Sequence, residues 1–230
     1  MPLPANLSTV LLDLDGTLVD NFEAIYLSYH YATEQLGLEP VDYATVRATV
    51  GGSIVVTMER LVGPELAERG VTLFRERFPE VMLEGLRALN GALALLEKFS
   101  EAGIAAAVFT NKDGPAARQI CEHLGLDRWL AAVAGTNDTP HRKPQPEFTE
   151  HILSVLDARP ESTLLIGDSP FDLSAAQTHD LACHLVATGS HTEAQLRAED
   201  PAPDGVWSDL HALAKGVFGW ELPEPAGVPG

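Results

Sequence analysis

The sequence predicts an α/β fold, doubly wound around a parallel sheet, with a small helical cap domain inserted after the first strand. Three observations predict it: short apolar runs that end in polar residues, helix-length patterns between them, and one long helical stretch that breaks the alternation. The runs are Thr9 to Asp13 (TVLLD), Ile104 to Thr110 (IAAAVFT), Leu130 to Gly135 (LAAVAG), Thr163 to Asp168 (TLLIGD) and His184 to Gly189 (HLVATG). They show little period-two alternation, as expected of strands covered by helices on both faces.

Between the runs, NGALALLEKFSEAG has Asn90 as a candidate N-cap and Gly103 as its stop. GPAARQICEHLGL carries Pro115 in its first turn and Gly125 near its end, and PEFTEHILSVLD starts at Pro146. The core domain is therefore expected over residues 1–19 and 86–220. Residues 20–85 form the expected cap, with no convincing strand. Its helical stretches are NFEAIYLSYHYATEQLGL, SIVVTMERLVG and PELAERGVTLFRERF, punctuated by Gly37, Pro40, Gly51-Gly52, Gly63-Pro64 and Pro79. Residues 221–230 (ELPEPAGVPG) read as an extended or disordered tail.

With 45% hydrophobic and 21% charged residues, the 230-residue chain has an ordinary globular composition. The net charge of -18, from 33 acids against 15 bases, repels nucleic acid and anionic membranes, so neither is expected as a partner. A phosphorylated substrate would feel the same far field. Salt screens that field beyond about 8 Å, and a bound cation dominates locally, so the charge leads us to expect a metal. No apolar run approaches the roughly 18 residues of a membrane span, and the N-terminus lacks the basic flank of a signal peptide, which implies a cytoplasmic protein. Cys121 and Cys183 have no paired spacing, which implies a reducing compartment and no zinc site. The eight histidines show no metal spacing either, and surface or boundary roles are expected for His123 and His151.

Open α/β sheets bind ligands beyond the carboxyl ends of their strands. The residues that end the runs here are Asp13 and Asp15, Thr110 and Asn111, and Asp168 with Asp172, while Lys143 follows the LAAVAG run in TPHRKPQPE. Residues two apart on an extended chain return to one side, so Asp13 and Asp15 are expected in one cleft. Gly16 allows a turn that a β-carbon would obstruct. Lys143 precedes Pro144 and Pro146 and feeds a helix start, which fixes its backbone.

The motifs DLDGT, FTN, RKPQPE and GDSPFD, in this order, resemble the haloacid dehalogenase superfamily, in its phosphatase branch with a helical cap after the first motif. The resemblance runs from about Ser8 to about Leu213. It implies a Rossmann-like core and Mg2+-dependent hydrolysis of a small phosphate monoester. In that reading Asp13 attacks phosphorus and forms an aspartyl-phosphate. Asp15 protonates the leaving oxygen and then deprotonates the hydrolytic water. Asp13, the backbone carbonyl of Asp15 and Asp168 would hold Mg2+, with Asp172 supporting the site from behind or through water. The Thr110 hydroxyl and the Asn111 backbone N–H would hold phosphoryl oxygens, Lys143 would pair with Asp13 and the phosphate, and Gly16 is counted among the phosphate-binding residues.

The resemblance also makes the cap the part that selects the leaving group. Asn21, Arg47 and the Gly51-Gly52-Ser53 turn are the candidates for that contact, and Lys112 joins them because TNK looks like the phosphoglycolate phosphatase group. Charges flanking a motif, such as Lys112 and Arg142, are ordinarily solvated. Phe22, Tyr26 and Tyr29 fall on one helical stripe, which reads as core. A dehalogenase lacks the second aspartate, and a phosphonatase uses a cap lysine, whereas no lysine lies between Asp20 and Gly85. A phosphomutase of the β-phosphoglucomutase type keeps both aspartates and stays open, as does a non-catalytic regulatory or binding protein on the same scaffold. A monomer or a homodimer is expected. One departure is His179-Asp180, where relatives usually have Ala-Gly; Asp tolerates a left-handed backbone, so the turn is expected to survive.

Overall fold

Each apolar run becomes a strand because it alternates between two helix layers rather than between core and water. The computed structural model describes residues 6–50 and 52–223. Strand β1 (Thr9–Leu12) lies at the centre of a six-strand parallel sheet. On one side are β4 (Ala105–Asp113) and then β5 (Leu130–Thr136); on the other are β6 (Thr163–Gly167), β7 (Ala182–Val186) and β8 (Gly205–Trp207). Val10, Leu12, Val108 and Ile166 face one cluster with Leu95 and Phe99, and Leu11, Phe109 and Leu165 face another with Phe148 and Ile152. Strands β1, β6 and β7 are buried throughout, as expected. The LAAVAG run is not: β5 is an edge strand and only partly covered. Leu12 stands opposite both Val108 and Ile166, so the residues just beyond them on the three central strands share one end of the sheet.

One other expectation is corrected in the core. Helix α5 (Ala92–Glu101) is preceded by Gly91, which is left-handed at φ 87°, so Asn90 is not its N-cap. A β-carbon on Gly91 would meet Leu222 and His211 at 3.0 and 3.1 Å, so close packing selects the glycine there. Leu222 is buried; of the tail expected over residues 221–230, residues 224–230 lie outside the described residues. Helices α6 (Gly114–His123) and α7 (Pro146–Val155) form where their prolines predict them, and α8 (Pro170–Gln177) follows β6. Asp180 adopts φ 53°, the left-handed turn expected for it.

The chain leaves the core through β2 (Val19–Asp20) and returns through β3 (Arg87–Ala88), an antiparallel ribbon in which Val19 faces Ala88 and Asp20 pairs with Arg87. These short strands were not legible as such. Between them stand α1 (Phe22–Gln35), α2 (Tyr43–Thr49), α3 (Ile54–Val62) and α4 (Pro64–Val81). Helix α4 runs through Pro79 rather than stopping before it. The proline falls in the last turn, where Phe78 and Val81 are buried and their packing offsets one missing hydrogen bond. Tyr29 meets Phe74 at 4.5 Å between ring centres, and Phe74 stacks on Phe78 at 5.5 Å. Phe22 and Tyr29 are core residues, while Tyr26 is half-buried. Among the described residues no helix is long and apolar enough to cross a membrane.

The turn at Asp180 gives a direct test. Asp180→Val puts a β-branched residue at positive φ, and urea unfolding should show a loss of about 1–2 kcal/mol; unchanged stability would mean that the turn relaxes.

Candidate active site

The shared register of β1, β4 and β6 brings Asp13, Thr110 and Asp168 to one end of the sheet, where a buried lysine ties Asp13 to the β4 backbone and to α8. Lys143 is 3% exposed. Its Nζ donates to Asp13 Oδ1 at 2.9 Å, to the Phe109 carbonyl at 2.9 Å and to Asp172 Oδ1 at 2.6 Å, which uses all three ammonium donors. Burial by itself lowers the pKa of this amine, but Asp13 and Asp172 more than reverse that effect and hold it above the ordinary lysine range. The backbone of Lys143 is clamped as well: Asn111 Oδ1 accepts from its N–H at 2.8 Å and Asn111 Nδ2 donates to its carbonyl at 3.1 Å. With its side chain spent in this way, Asn111 can offer a ligand only its backbone. The Thr110 hydroxyl accepts from Lys112 N–H at 3.2 Å, which leaves its own proton to donate.

Asp172 is fully buried and already satisfied. Its Oδ2 accepts from Asp168 N, Ser169 N and Ser169 Oγ at 3.2, 3.1 and 2.6 Å, while Oδ1 takes Lys143. Asp168 accepts from Ser190 N at 3.2 Å through Oδ2. Burial, with the charges of Asp13 and Asp172 alongside, pushes Asp168 well above the ordinary carboxylate range. Oxygens of Asp13, Asp168 and Asp172 lie within 4.8 Å of one another. Asp13 Oδ2, Asp168 Oδ1 and the Asp15 carbonyl take no hydrogen bond among the described residues. An all-oxygen set of mutually repelling carboxylates fits a hard divalent cation, so these residues could hold a metal ion. Two glycines make room for Asp168: a β-carbon on Gly16 (φ 85°) would lie 2.8 Å from its Oδ2, and one on Gly189 would lie 1.7 Å from it.

Asp15 faces a different partner. Its Oδ2 accepts from Lys112 Nζ at 2.8 Å, and its Oδ1 is buried without a partner. Lys112 sits 4.6 Å from the centre of the Phe78 ring. With the Asn21 amide oriented to satisfy both its atoms, Asn21 accepts from Lys112 at 3.2 Å and donates to the Met82 carbonyl at 3.1 Å. Lys112 is thus buried between core and inserted helices, not solvated. Asp15 and Lys112 line a cavity of about 80 Å³ that also touches Asp13, Thr110, Asn111 and Lys143 and is roofed by Ile25, Tyr29, Phe74 and Phe78; Asn21 is not in its lining and reaches it only through Lys112.

Several sequence candidates lie elsewhere. Gly16 donates its N–H to the Val19 carbonyl at 2.8 Å, so its amide is committed and it serves as the space beside Asp168 rather than as a phosphate donor. Arg47 does not line the cavity: it donates to the Thr188 and Gly189 carbonyls at 3.2 Å each and stacks on Phe22 at 4.5 Å. Ser53 lines a neighbouring pocket, Gly52 lines the cavity, and Gly51 lies outside the described residues. Sequence reasoning missed Ser169, Gly189 and Ser190, which set Asp172 and Asp168. The signal for Ser169 was available, because Ser-x-x-Asp ahead of a helix is a capping pattern; nothing local marks the other two.

This sheet, helical insertion and carboxylate–lysine cluster define a phosphatase-like hydrolase, and the chain belongs to the haloacid dehalogenase-like hydrolase family, whose model matches residues 10–186. It is 33% identical over 206 residues to a 5'-nucleotidase of Pseudomonas aeruginosa, a match covering 89% of this chain and 92% of that protein. It is 28% identical to a phosphoglycolate phosphatase of Chromobacterium violaceum, covering 91% and 97%. A solved structure described as a predicted phosphatase from Clostridium acetobutylicum superposes with a TM-score of 0.86 at 22% identity, covering 94% of this chain and all of the other, and shares the fold.

Lys143→Met strands two buried carboxylates beside each other. Urea unfolding at neutral pH without divalent ions should show a loss of about 3 kcal/mol or more. A loss below about 1 kcal/mol would mean that water replaces the ammonium.

Proposed function

We propose that the protein hydrolyses a small phosphate monoester through an aspartyl-phosphate on Asp13, in the manner of a phosphoglycolate phosphatase. One observation carries this reading. Asp13, held by Lys143, and Asp15, held by Lys112, open into the same small cavity, with one carboxylate oxygen of each left without a partner. A nucleophile and a proton carrier are what phosphoryl transfer to a carboxylate and back to water requires.

In the proposed reaction Asp13 Oδ2 attacks phosphorus while the Thr110 hydroxyl holds a phosphoryl oxygen and the Lys143 ammonium, fixed on Asp13, offsets the charge that gathers there in the transition state. Asp15 gives its proton to the departing ester oxygen. It then takes a proton from the water that attacks phosphorus in the phosphoryl-aspartate, which releases phosphate, frees the Asp13 carboxylate and returns Asp15 to its acid form. Asp13, Asp168 and the Asp15 carbonyl would hold Mg2+, with Asp172 behind them, and the bound ion would offset the negative charge gathered there. Lys112 stands next to Asp15, where the leaving group departs, and its charge favours a short, anionic leaving group. The apolar roof excludes water from the same space.

A panel of 2-phosphoglycolate, sugar phosphates, nucleotides and pyrophosphate, each with and without Mg2+, tests the reading. The named relatives put both the glycolate and the nucleotide classes on it. Asp13→Asn should abolish turnover in a folded protein, and Asp15→Asn should lower it by about 10²–10⁴-fold. Normal activity in folded Asp13→Asn would exclude the nucleophile assignment.

Metal binding is measured separately. At a hundredfold excess over its Kd, Mg2+ should stabilise the protein by about 2.7 kcal/mol, a rise in Tm of roughly 5–10 °C. Asp168→Asn should lose that rise; an equal rise in the variant would place the ion elsewhere.

A further inference from the structure

A second pocket, of about 110 Å³, opens beside the catalytic cavity, with Ile54 lining both. It lies between the start of α3 and the segment from Thr136 to Arg142. The chain carries 33 acids against 15 bases, yet no carboxylate lines this pocket, while Arg75, Arg142 and His141 do. Neither guanidinium has a hydrogen bond or ion pair among the described residues, whereas Arg77, Arg87, Arg118 and Arg197 all pair with acids. The nearby carboxylate of Asp113 is spent on Asn137 Nδ2 at 2.5 Å and on the Ala116 amide at 3.3 Å.

The opposite wall is the N-terminus of a nine-residue helix. Ser53, Ile54 and Val55 line the pocket, no acid occupies the first turn of α3, and the Ser53 hydroxyl does not cap it. First-turn amides of a helix present partial positive charge and unpaired donors. Independently of the helix end, Ser53 is only 7% exposed and its Oγ is buried without any partner, an energetic cost that a ligand would remove.

We propose that this pocket is an anion site for a phosphate or carboxylate group, held by Arg75, Arg142, the α3 amides and the Ser53 hydroxyl. The anion comes either from the far end of a longer phosphate ester seated on Asp13 or from a separate ion. The tethered source rests on the phosphatase reading; the site itself does not. Arg75 and Arg142 are exposed at the pocket mouth, so replacing them leaves the core intact.

The test compares the wild type with Arg75→Gln/Arg142→Gln. Titration calorimetry with sodium sulfate, without divalent ions or substrate, should show one equivalent more in the wild type than in the variant. With Mg2+, kcat/KM for p-nitrophenyl phosphate should stay within about twofold, and KM for an ester bearing a second phosphate at its far end should rise by about tenfold or more if the anion is tethered. If the anion is separate, that KM is unchanged, and sulfate alters turnover at saturating substrate in the wild type alone. Equal sulfate stoichiometry and affinity in both proteins, with no change in KM, would overturn the site. Failure of the wild type to hydrolyse p-nitrophenyl phosphate or any ester would instead sink the phosphatase reading and leave the calorimetric result standing.

Discussion

The buried ammonium of Lys143 is the constraint on which the rest of the site depends. Its acceptors come from the end of β1, from the β4 backbone and from α8, while Asn111 clamps its own backbone, so a single charge ties four segments into one arrangement. Burying two carboxylates as deeply as Asp13 and Asp172 calls for an opposite charge bonded to both, and the ammonium supplies it. The same contact fixes one oxygen of Asp13 and leaves the other open. A carboxylate oriented before any ligand arrives requires little reorganisation when it reacts.

The inserted helices are bound to this frame by charge as much as by packing. Lys112, from the core, reaches Asp15 and lies against Phe78 and Asn21, while Arg47, from α2, reaches back to the loop whose next amide supports Asp168. The roof and the carboxylate cluster are therefore coupled through side chains that carry charge. A ligand that competes for Lys112 acts on Asp15 and on the roof together.

The parts legible in the sequence were those fixed by local rules. Strand ends, the order of the motifs, the proline-led helices and the left-handed turn at Asp180 follow from periodicity, backbone sterics and the spacing of Asp13 and Asp15. What stayed hidden was set by the third dimension. The partial exposure of β5 depends on its place at the sheet edge, and the choice of Gly91 over Asn90 at the start of α5 depends on Leu222 and His211, which arrive from the far end of the chain. Lys112 looked like a solvated lysine because neither Phe78 nor Asn21 is near it in sequence. Gly16 and Arg47 were assigned to ligand contact, but Val19 and the loop at Thr188 and Gly189 had already engaged them.

The two-residue ribbon of Val19–Asp20 and Arg87–Ala88 has an evolutionary consequence. Because the outgoing and returning chains lie side by side, the ends of the insertion are about one strand spacing, roughly 5 Å, apart. An insertion of another length or helix count could be grafted across that gap with the register of the six-strand sheet unchanged. The carboxylate–lysine cluster would persist through such an exchange, while the groups over Asp15 would be replaced wholesale.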